Sequence, residues 1–296
     1  MKTKIVHLLR NMASALERDE QAPVDQPDTE KKSAANLLDE YVSGMPRAQH
    51  AIDALAGWNT ALPPNIGVVA GNVALYNDPR ILWGIEQMGS LAGKRVLERG
   101  PLEASPPDML EQRKPAVLHA IEANRLSFLR CLVVKELLGL HIAKFFLGDF
   151  MTWLETRPET YDFIVASGVL YHMEDPASLL EAMAKRTKSV LIWTHYVSDA
   201  AMPKGDPRRQ VFVGEPEIIE RNGMKLRQYR RSYWGAWKDK SFCGGMHDLH
   251  RWLEKDDIIA YLKHLGFDDV RITMDEPNHQ NGPSFLVFAR QTTAPA

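Results

Sequence analysis

Three acidic residues punctuate the middle of this 296-residue chain, each closing a short apolar run. Glu98 lies in Arg95-Val-Leu-Glu-Arg-Gly-Pro-Leu-Glu-Ala-Ser105, Glu122 follows Ala116–Ile121, and Asp149 stands in Gly148-Asp-Phe150. A carboxylate about twenty residues beyond a strand and its tight turn is placed to accept both hydroxyls of a ribose; Glu122 has that spacing from Gly100. Gly100 marks the point where the backbone must bend sharply and admit a ligand. Two histidines, His172 and His195, follow the next two apolar runs and could take a proton from an acceptor hydroxyl. Plainer roles are open to each of them. Glu122 could be an acid favoured by a helix dipole, Asp149 a helix N-cap before Met151-Thr-Trp-Leu154, and the histidines hydrogen-bonded structural groups.

From Lys94 the pattern predicts alternating strands and helices that would hold these residues in one crevice. Strands are expected at Arg95–Glu98, Ala116–Ile121, Ile142–Leu147, Tyr161–Ala166 and Ser189–Thr194. Helices are expected at Pro107–Gln112, Asn124–Leu138 and Pro176–Lys185, the last capped by Asp175. Steady alternation implies a parallel sheet covered on both faces, with ligands bound outside the carboxyl ends of its strands. A helix at Asp256–His264 and strands at Asp269–Met274 and Ser284–Arg290 end the chain. Residues 1–90 read as a mostly helical N-terminal accessory or cap region. It comprises an amphipathic stretch over 5–16, a polar proline-containing run over 21–30, a helix over 34–56 and another over 81–88. Residues 91–296 form the main domain, with an irregular insertion at about 199–253.

The composition is that of an ordinary globular protein, with 45% hydrophobic and 25% charged residues. A net charge of −2 gives no global attraction to nucleic acid or anionic membrane. Cys131 and Cys243 lie far apart, with neither a disulfide framework nor metal-ligand spacing, and read as buried small hydrophobes. No metal site is expected. With no signal peptide and no apolar run long enough to span a bilayer, the chain reads as cytoplasmic.

The segment around Glu98 resembles motif I of class I S-adenosylmethionine-dependent methyltransferases, an acid followed by Gly-x-Gly-x-Gly. Leu102 and Ala104 stand where the second and third glycines are usual, and Arg99 where an apolar residue is. Gly148-Asp149-Phe150 resembles the acidic-plus-apolar pair that holds adenine in this family. Tyr161-Asp-Phe-Ile-Val-Ala-Ser-Gly-Val-Leu-Tyr-His-Met-Glu-Asp-Pro176 resembles its motif IV and the loop after it. The resemblance covers roughly residues 94–196, and 254–290 more loosely. It implies an α/β, Rossmann-like sheet of seven strands with helices on both faces. It also implies that S-adenosylmethionine is held by Glu98, Gly100, Leu102, Glu122, Ala123, Asp149, Phe150, Ser167 and Gly168. The charges agree: three acids suit an ammonium, a ribose and an adenine amine. A dinucleotide pyrophosphate would be repelled by Glu98 and Glu103 and would want glycines at 102 and 104.

Methyl transfer asks the protein mainly to align the acceptor and exclude water, with a base only where the acceptor must lose a proton. His172 and His195 are the candidate bases, and Tyr171 and Tyr196 beside them the candidate pocket walls. Within 199–253, Arg227-Gln-Tyr-Arg-Arg-Ser-Tyr-Trp-Gly-Ala-Trp237 interleaves basic and aromatic residues. Such a pattern stacks on bases and meets phosphates, forms a lid whose arginines pair with an acidic metabolite, or makes a solvated edge strand. Arg230, Trp234 and Trp237 are the candidate acceptor contacts here, and Gly244-Gly245 a candidate hinge. Trp58, Trp83 and Arg80 could cover the crevice from the other side or simply pack. Three functions follow: methyl transfer to a small acceptor, an acidic one included, more readily at oxygen; modification of RNA, since Gly168-Val-Leu-Tyr-His172 resembles a tRNA-wobble-uridine branch of the same fold; or a non-catalytic protein that kept the fold.

Overall fold

Short runs of Val, Ile, Leu and Phe too apolar to face water form the strands of a central sheet. In the computed structural model, which describes residues 40–239, 242 and 244–292, the strands are β1 (Arg95–Arg99), β2 (Val117–Glu122), β3 (Ala143–Leu147), β4 (Phe163–Ser167), β5 (Ser189–His195), β6 (Glu217–Arg221), β7 (Met224–Ser232), β8 (Leu249–Leu253), β9 (Asp269–Glu276) and β10 (Ser284–Arg290). The main sheet has seven strands in the order β3-β2-β1-β4-β5-β10-β9. β10 runs antiparallel to both neighbours, and the others pair in parallel. β6, β7 and β8 form a separate antiparallel sheet. The stretch over 5–16, the run over 21–30 and Cys243 lie outside the described residues. The chain divides into the units Met1–Val42 and Ser43–Ala296, and apart from the backbone of residues 40–42 everything described below belongs to the second.

The helices are α1 (Ala48–Asp53), α2 (Pro79–Met88), α3 (Ser105–Glu111), α4 (Arg125–Leu138), α5 (Phe150–Thr156), α6 (Pro176–Ala184) and α7 (Lys255–His264). Their starts are chemically marked. Asp78, Asn124, Asp149 and Asp175 each cap the helix that follows with a side-chain oxygen, and Pro79 and Pro176 sit at first positions where no N–H is needed. On one sheet face Ile81 and Ile85 of α2 and Leu110 of α3 pack on Val96, Val165, Leu191 and Leu286. On the other, Leu154 of α5, Leu179 and Met183 of α6 and Ile258 of α7 pack on Leu97, Ile164, Ile192 and Val287. A third cluster joins α1 to α4 through Ile52, Cys131 and Val134, with Cys131 fully buried.

Two expectations change. The helix expected over 34–56 is, in its described part, confined to Ala48–Asp53, with residues 40–47 non-helical. Pro46 explains this, because it lacks an amide and drives its predecessor to extended backbone. The segment expected to be irregular contains the β6-β7-β8 sheet. Its strands carry so many arginines that the two-residue alternation is hidden behind charge.

Glu103, in the turn after β1, ties the N-terminal segment to this frame. Its carboxylate is nearly fully buried and accepts from the amides of Asn59 and Thr60 and from Arg130 Nη1 at 3.2 Å. Tyr76 donates to the Glu103 carbonyl at 2.8 Å. Removing one partner of a buried pair leaves the other charged and unmatched. We therefore expect Arg130→Met to lower stability by about 3–5 kcal/mol in urea unfolding.

Candidate functional site

The strand order reverses between β1 and β4: from β1 the chain proceeds outward to β2 and β3, and from β4 outward to β5. That switch point opens a crevice at the carboxyl ends of the strands. The turn after β1 lies in it. Gly100, Leu102 and Ala104 all take left-handed backbone, with φ of 78°, 53° and 62°. The alternating conformation that a triple-glycine loop would adopt is therefore kept with only one glycine. A Cβ at Gly100 would come within 3.3 Å of Val169 Cγ2, so the turns after β1 and β4 close on each other.

Glu98 sits at this junction, opposite Ala120 and Val165 in the flanking strands. It is fully buried, and among the described residues neither carboxylate oxygen has a hydrogen-bond partner. Burial, reinforced by the nearby Glu122, pushes its carboxyl well above the usual carboxylate range. Glu122, at the end of β2, accepts from Leu102 N–H at 3.2 Å and Asn124 N–H at 2.8 Å. Those bonds lock its carboxylate between the first turn and the start of α4, next to Ala123, and burial raises its carboxyl too. Asp149 is spent differently: it accepts from Met151 N–H, Thr152 N–H and Thr152 Oγ1 as the cap of α5. It thus takes the plainer role weighed from sequence, while half-buried Phe150 opens the helix beside it. Ser167 and Gly168 end β4, and Gly168 turns with φ 81°.

Arg99 points to the opposite face of β1 from Glu98, as the two-residue strand repeat demands. Its buried guanidinium lies against the sulfur of Met183, with Cζ 5.3 Å from the Phe150 ring, and desolvation lowers its pKa to about 9.

Beyond β4 and β5 a second group of side chains converges. His195 donates Nδ1–H to the Gly282 carbonyl at 2.9 Å, so its Nε2 carries the lone pair in the neutral ring. Trp252 of β8 stacks on it at 4.9 Å with 7° between planes, and Tyr171 meets it edge-on at 4.6 Å. Gly282, at φ 109°, is required there, since a Cβ would lie 2.6 Å from the Trp252 ring. His172 is hydrogen-bonded to the Tyr233 hydroxyl, which also accepts Gly245 N–H. Tyr233 stacks on His250 at 4.1 Å. Arg80 of α2 closes one edge, its guanidinium 4.4 Å over Trp193 while paired to Asp78. Desolvation holds His195 and His250 down to about 4, and His172 well below its usual value. All three rings are therefore neutral at pH 7.

Not every residue singled out from sequence joins this group. Tyr196 lies on the other face of its strand and donates to Asp275 Oδ1 at 2.9 Å. Arg230 faces outward on β7, paired with Glu217 at 3.2 Å; the arginine turned inward is Arg231, one position on. Trp234 and Trp237 are 65% and 53% exposed, apart from the cluster. Trp58 donates to the Ile52 carbonyl and packs near Arg130, and Trp83 packs beneath the sheet. Gly245 lies over His172, where a Cβ would meet its carbonyl at 2.4 Å, which is a packing role. Sequence reasoning missed Trp193, Arg231, Tyr233, His250 and Trp252. The available signal was alternation, since Tyr229, Arg231 and Tyr233 occupy every second position.

No protein-family model matches the chain, and no curated protein sequence matches it either. Among solved structures it is similar to the N-terminal domain of EvdMO1, crystallised in the presence of S-adenosylhomocysteine and D-fucose. That similarity has 18% identity and a TM-score of 0.60 over 82% of this chain and 95% of that one. It is also similar to full EvdMO1, with 16% identity and a TM-score of 0.54, covering 46% of that longer chain. The fold is that of the class I methyltransferases: seven strands with the penultimate position in the sheet taken by the antiparallel last strand.

Two tests follow from this geometry. Ala104→Gly trades a left-handed strain of about 1–2 kcal/mol against one buried methyl of about 1 kcal/mol. We expect its urea midpoint to stay near the wild type, while Ala104→Val, branched and fully buried, unfolds markedly earlier. The second concerns pH. The unfolded histidines titrate near 6.5, whereas His195 and His250 in the fold titrate near 4. Between those values the unfolded chain binds more protons, so their contribution is complete above pH 6.5 and lost as pH falls toward 4. Buried Glu98 and Glu122 act in the opposite sense. The comparison is therefore with His195→Gln, whose unfolding midpoint should depend less on pH across this window.

Proposed function

We propose that this chain is an S-adenosylmethionine-dependent methyltransferase acting on a small-molecule acceptor, at oxygen. The observation that carries the cofactor reading is Glu98. A fully buried carboxylate with both oxygens unpartnered, at the switch point of the sheet, is costly unless a cation completes it. The cofactor's ammonium is such a cation. The left-handed turn at Gly100, Leu102 and Ala104 would let its amino-acid end approach the backbone. Glu122 retains lone pairs for the ribose hydroxyls beside Ala123, and its two amide bonds fix their direction. With Asp149 engaged in capping, the adenine side falls to the Phe150 ring and its N–H, the first of a helix and without an intrahelical acceptor. Ser167 and Gly168 would complete the floor. When bound, the cofactor supplies a methyl group on positively charged sulfur.

The acceptor site in this reading is the group around His195. Its Nδ1 is held by the Gly282 carbonyl, so Nε2 is the atom offered to a hydroxyl proton. His172, hydrogen-bonded to Tyr233, orients the opposite wall, and Tyr171 lies between them. The surrounding aromatic rings exclude water and give a flat acceptor its contacts. The RNA alternative loses support in the second sheet. Arg227 pairs with Glu254, and Arg230 and Arg251 with Glu217, so the basic stripe an RNA backbone needs is already neutralised.

Calorimetric titration with S-adenosylmethionine in two buffers of unlike ionisation enthalpy tests the reading. Placing an ammonium against Glu98 lowers its raised pKa, so binding at pH 7 should release a proton. Glu98→Gln should abolish that release and weaken binding at least tenfold, about 1.4 kcal/mol. No binding at millimolar cofactor would sink the proposal.

A further inference from the structure

Arg231, at the edge of the proposed acceptor group, is a cation without a counter-charge among the described residues. It stands on the inward face of β7 opposite His250 of β8, between Tyr229 and Tyr233 in the alternation. Its Nη1 donates to His250 Nε2 at 3.2 Å, and its Cζ lies 5.2 Å from the Trp252 ring that stacks on His195. Its Nε is shielded from solvent and has no partner among the described residues, and the same holds for Trp252 Nε1. No carboxylate lies within ion-pair distance among the described residues. Asp248, the acid of this corner, accepts from Ser232 Oγ instead. The contrast with its neighbours is sharp, because Arg227, Arg230 and Arg251 all have glutamates. His250 cannot supply the missing charge, since a ring that accepts Arg231 N–H at Nε2 is neutral.

A guanidinium drawn out of water with nothing opposite it is unfavourable, and cation–π contact with Trp252 offsets only about 2 kcal/mol. An anion arriving with a ligand would meet two idle N–H donors and a full positive charge in an apolar surround, where such bonds are strong. Resting on the methyltransferase reading, we propose that Arg231, with Trp252 Nε1–H, binds the acceptor as an oxyanion. The acceptor is then a planar phenol or enol whose flat ring lies among the aromatic side chains around His195. The histidine chemistry agrees with this choice. A base held near pKa 4 is too weak to take the proton of an alcohol or of a phenol, whereas a phenol or enol paired with Arg231 can release its proton to solvent and bind as the oxyanion, so no strong protein base is required. Arg231 is in this account a binding and ionising residue for the acceptor, a role distinct from holding the cofactor.

The probe is 4-nitrophenol, whose ionised form absorbs visible light, used at a pH one unit below its own pKa with the full chain saturated with S-adenosylhomocysteine. We expect added protein to increase the phenolate band, and the uncharged isostere 4-nitroanisole to bind at least tenfold more weakly. Arg231→Gln, checked for an unchanged melting temperature and unchanged S-adenosylhomocysteine affinity, should abolish the increase. If Arg231→Gln does not fold, Arg231→Lys carries the test, with a reduced but measurable band. No increase in the wild type, or an undiminished one in a folded Arg231→Gln, overturns the proposal. Phenolate binding in a chain that ignores S-adenosylhomocysteine would keep the anion site and remove the cofactor reading instead.

Discussion

A carboxylate cannot stay ionised in a dry interior without an opposing charge, and Glu98 is placed where the sheet offers none. β1 lies between β2 and β4, so the end of this strand is enclosed on both sides by backbone, and the turns after β1 and β4 seal it from above. The arginine next in sequence helps too little, because strand geometry turns it to the opposite face and burial outweighs its attraction. The free chain meets this constraint by favouring the protonated acid. A cationic ligand would meet it by completing an ion pair. Much of the surrounding architecture follows: a turn in left-handed backbone beside the acid, and a second carboxylate, Glu122, locked by amides that offset part of the cost of burying it.

The aromatic group beyond β4 and β5 is built on a different principle. Its histidines are kept neutral by burial, which outweighs the bonds to backbone carbonyls that favour the charged ring, so the unpaired positive charge there is concentrated in Arg231. The β6-β7-β8 sheet makes this division possible. One of its faces carries ion pairs centred on Glu217; the other carries Tyr229, Arg231, His250 and Trp252 toward the ends of β4 and β5. Neutral rings around a lone cation favour ligands that bring negative charge and flat apolar surface together.

Much of the fold was legible because its signals are local. Apolar runs closed by Gly or an acid, and Asp or Asn before a helix, locate nearly every strand and helix of the main sheet to within two residues. Motif spacing marked the strand ends and following turns where Glu98, Glu122, Asp149 and the two histidines stand. What was not legible depends on register. Choosing Arg230 over Arg231, or placing Tyr196 beside His195, is a one-residue matter, and a one-residue step in a strand reverses the face. The β6–β8 sheet was hidden because ion pairs between strands replace the apolar alternation that marks a strand. Leu102 and Ala104 show a converse case: the residue types argue against a glycine-type loop, yet tertiary packing imposes its backbone regardless.

The short loop that follows β1 serves two masters. One side of it borders the crevice through Leu102 N–H and Glu122; the other holds, through the side chain of Glu103, the amides of Asn59 and Thr60. Whatever stiffens the loop on the ligand side must also steady the strand of chain hung from it. Hydrogen exchange at those two amides therefore reads how firmly that loop is held.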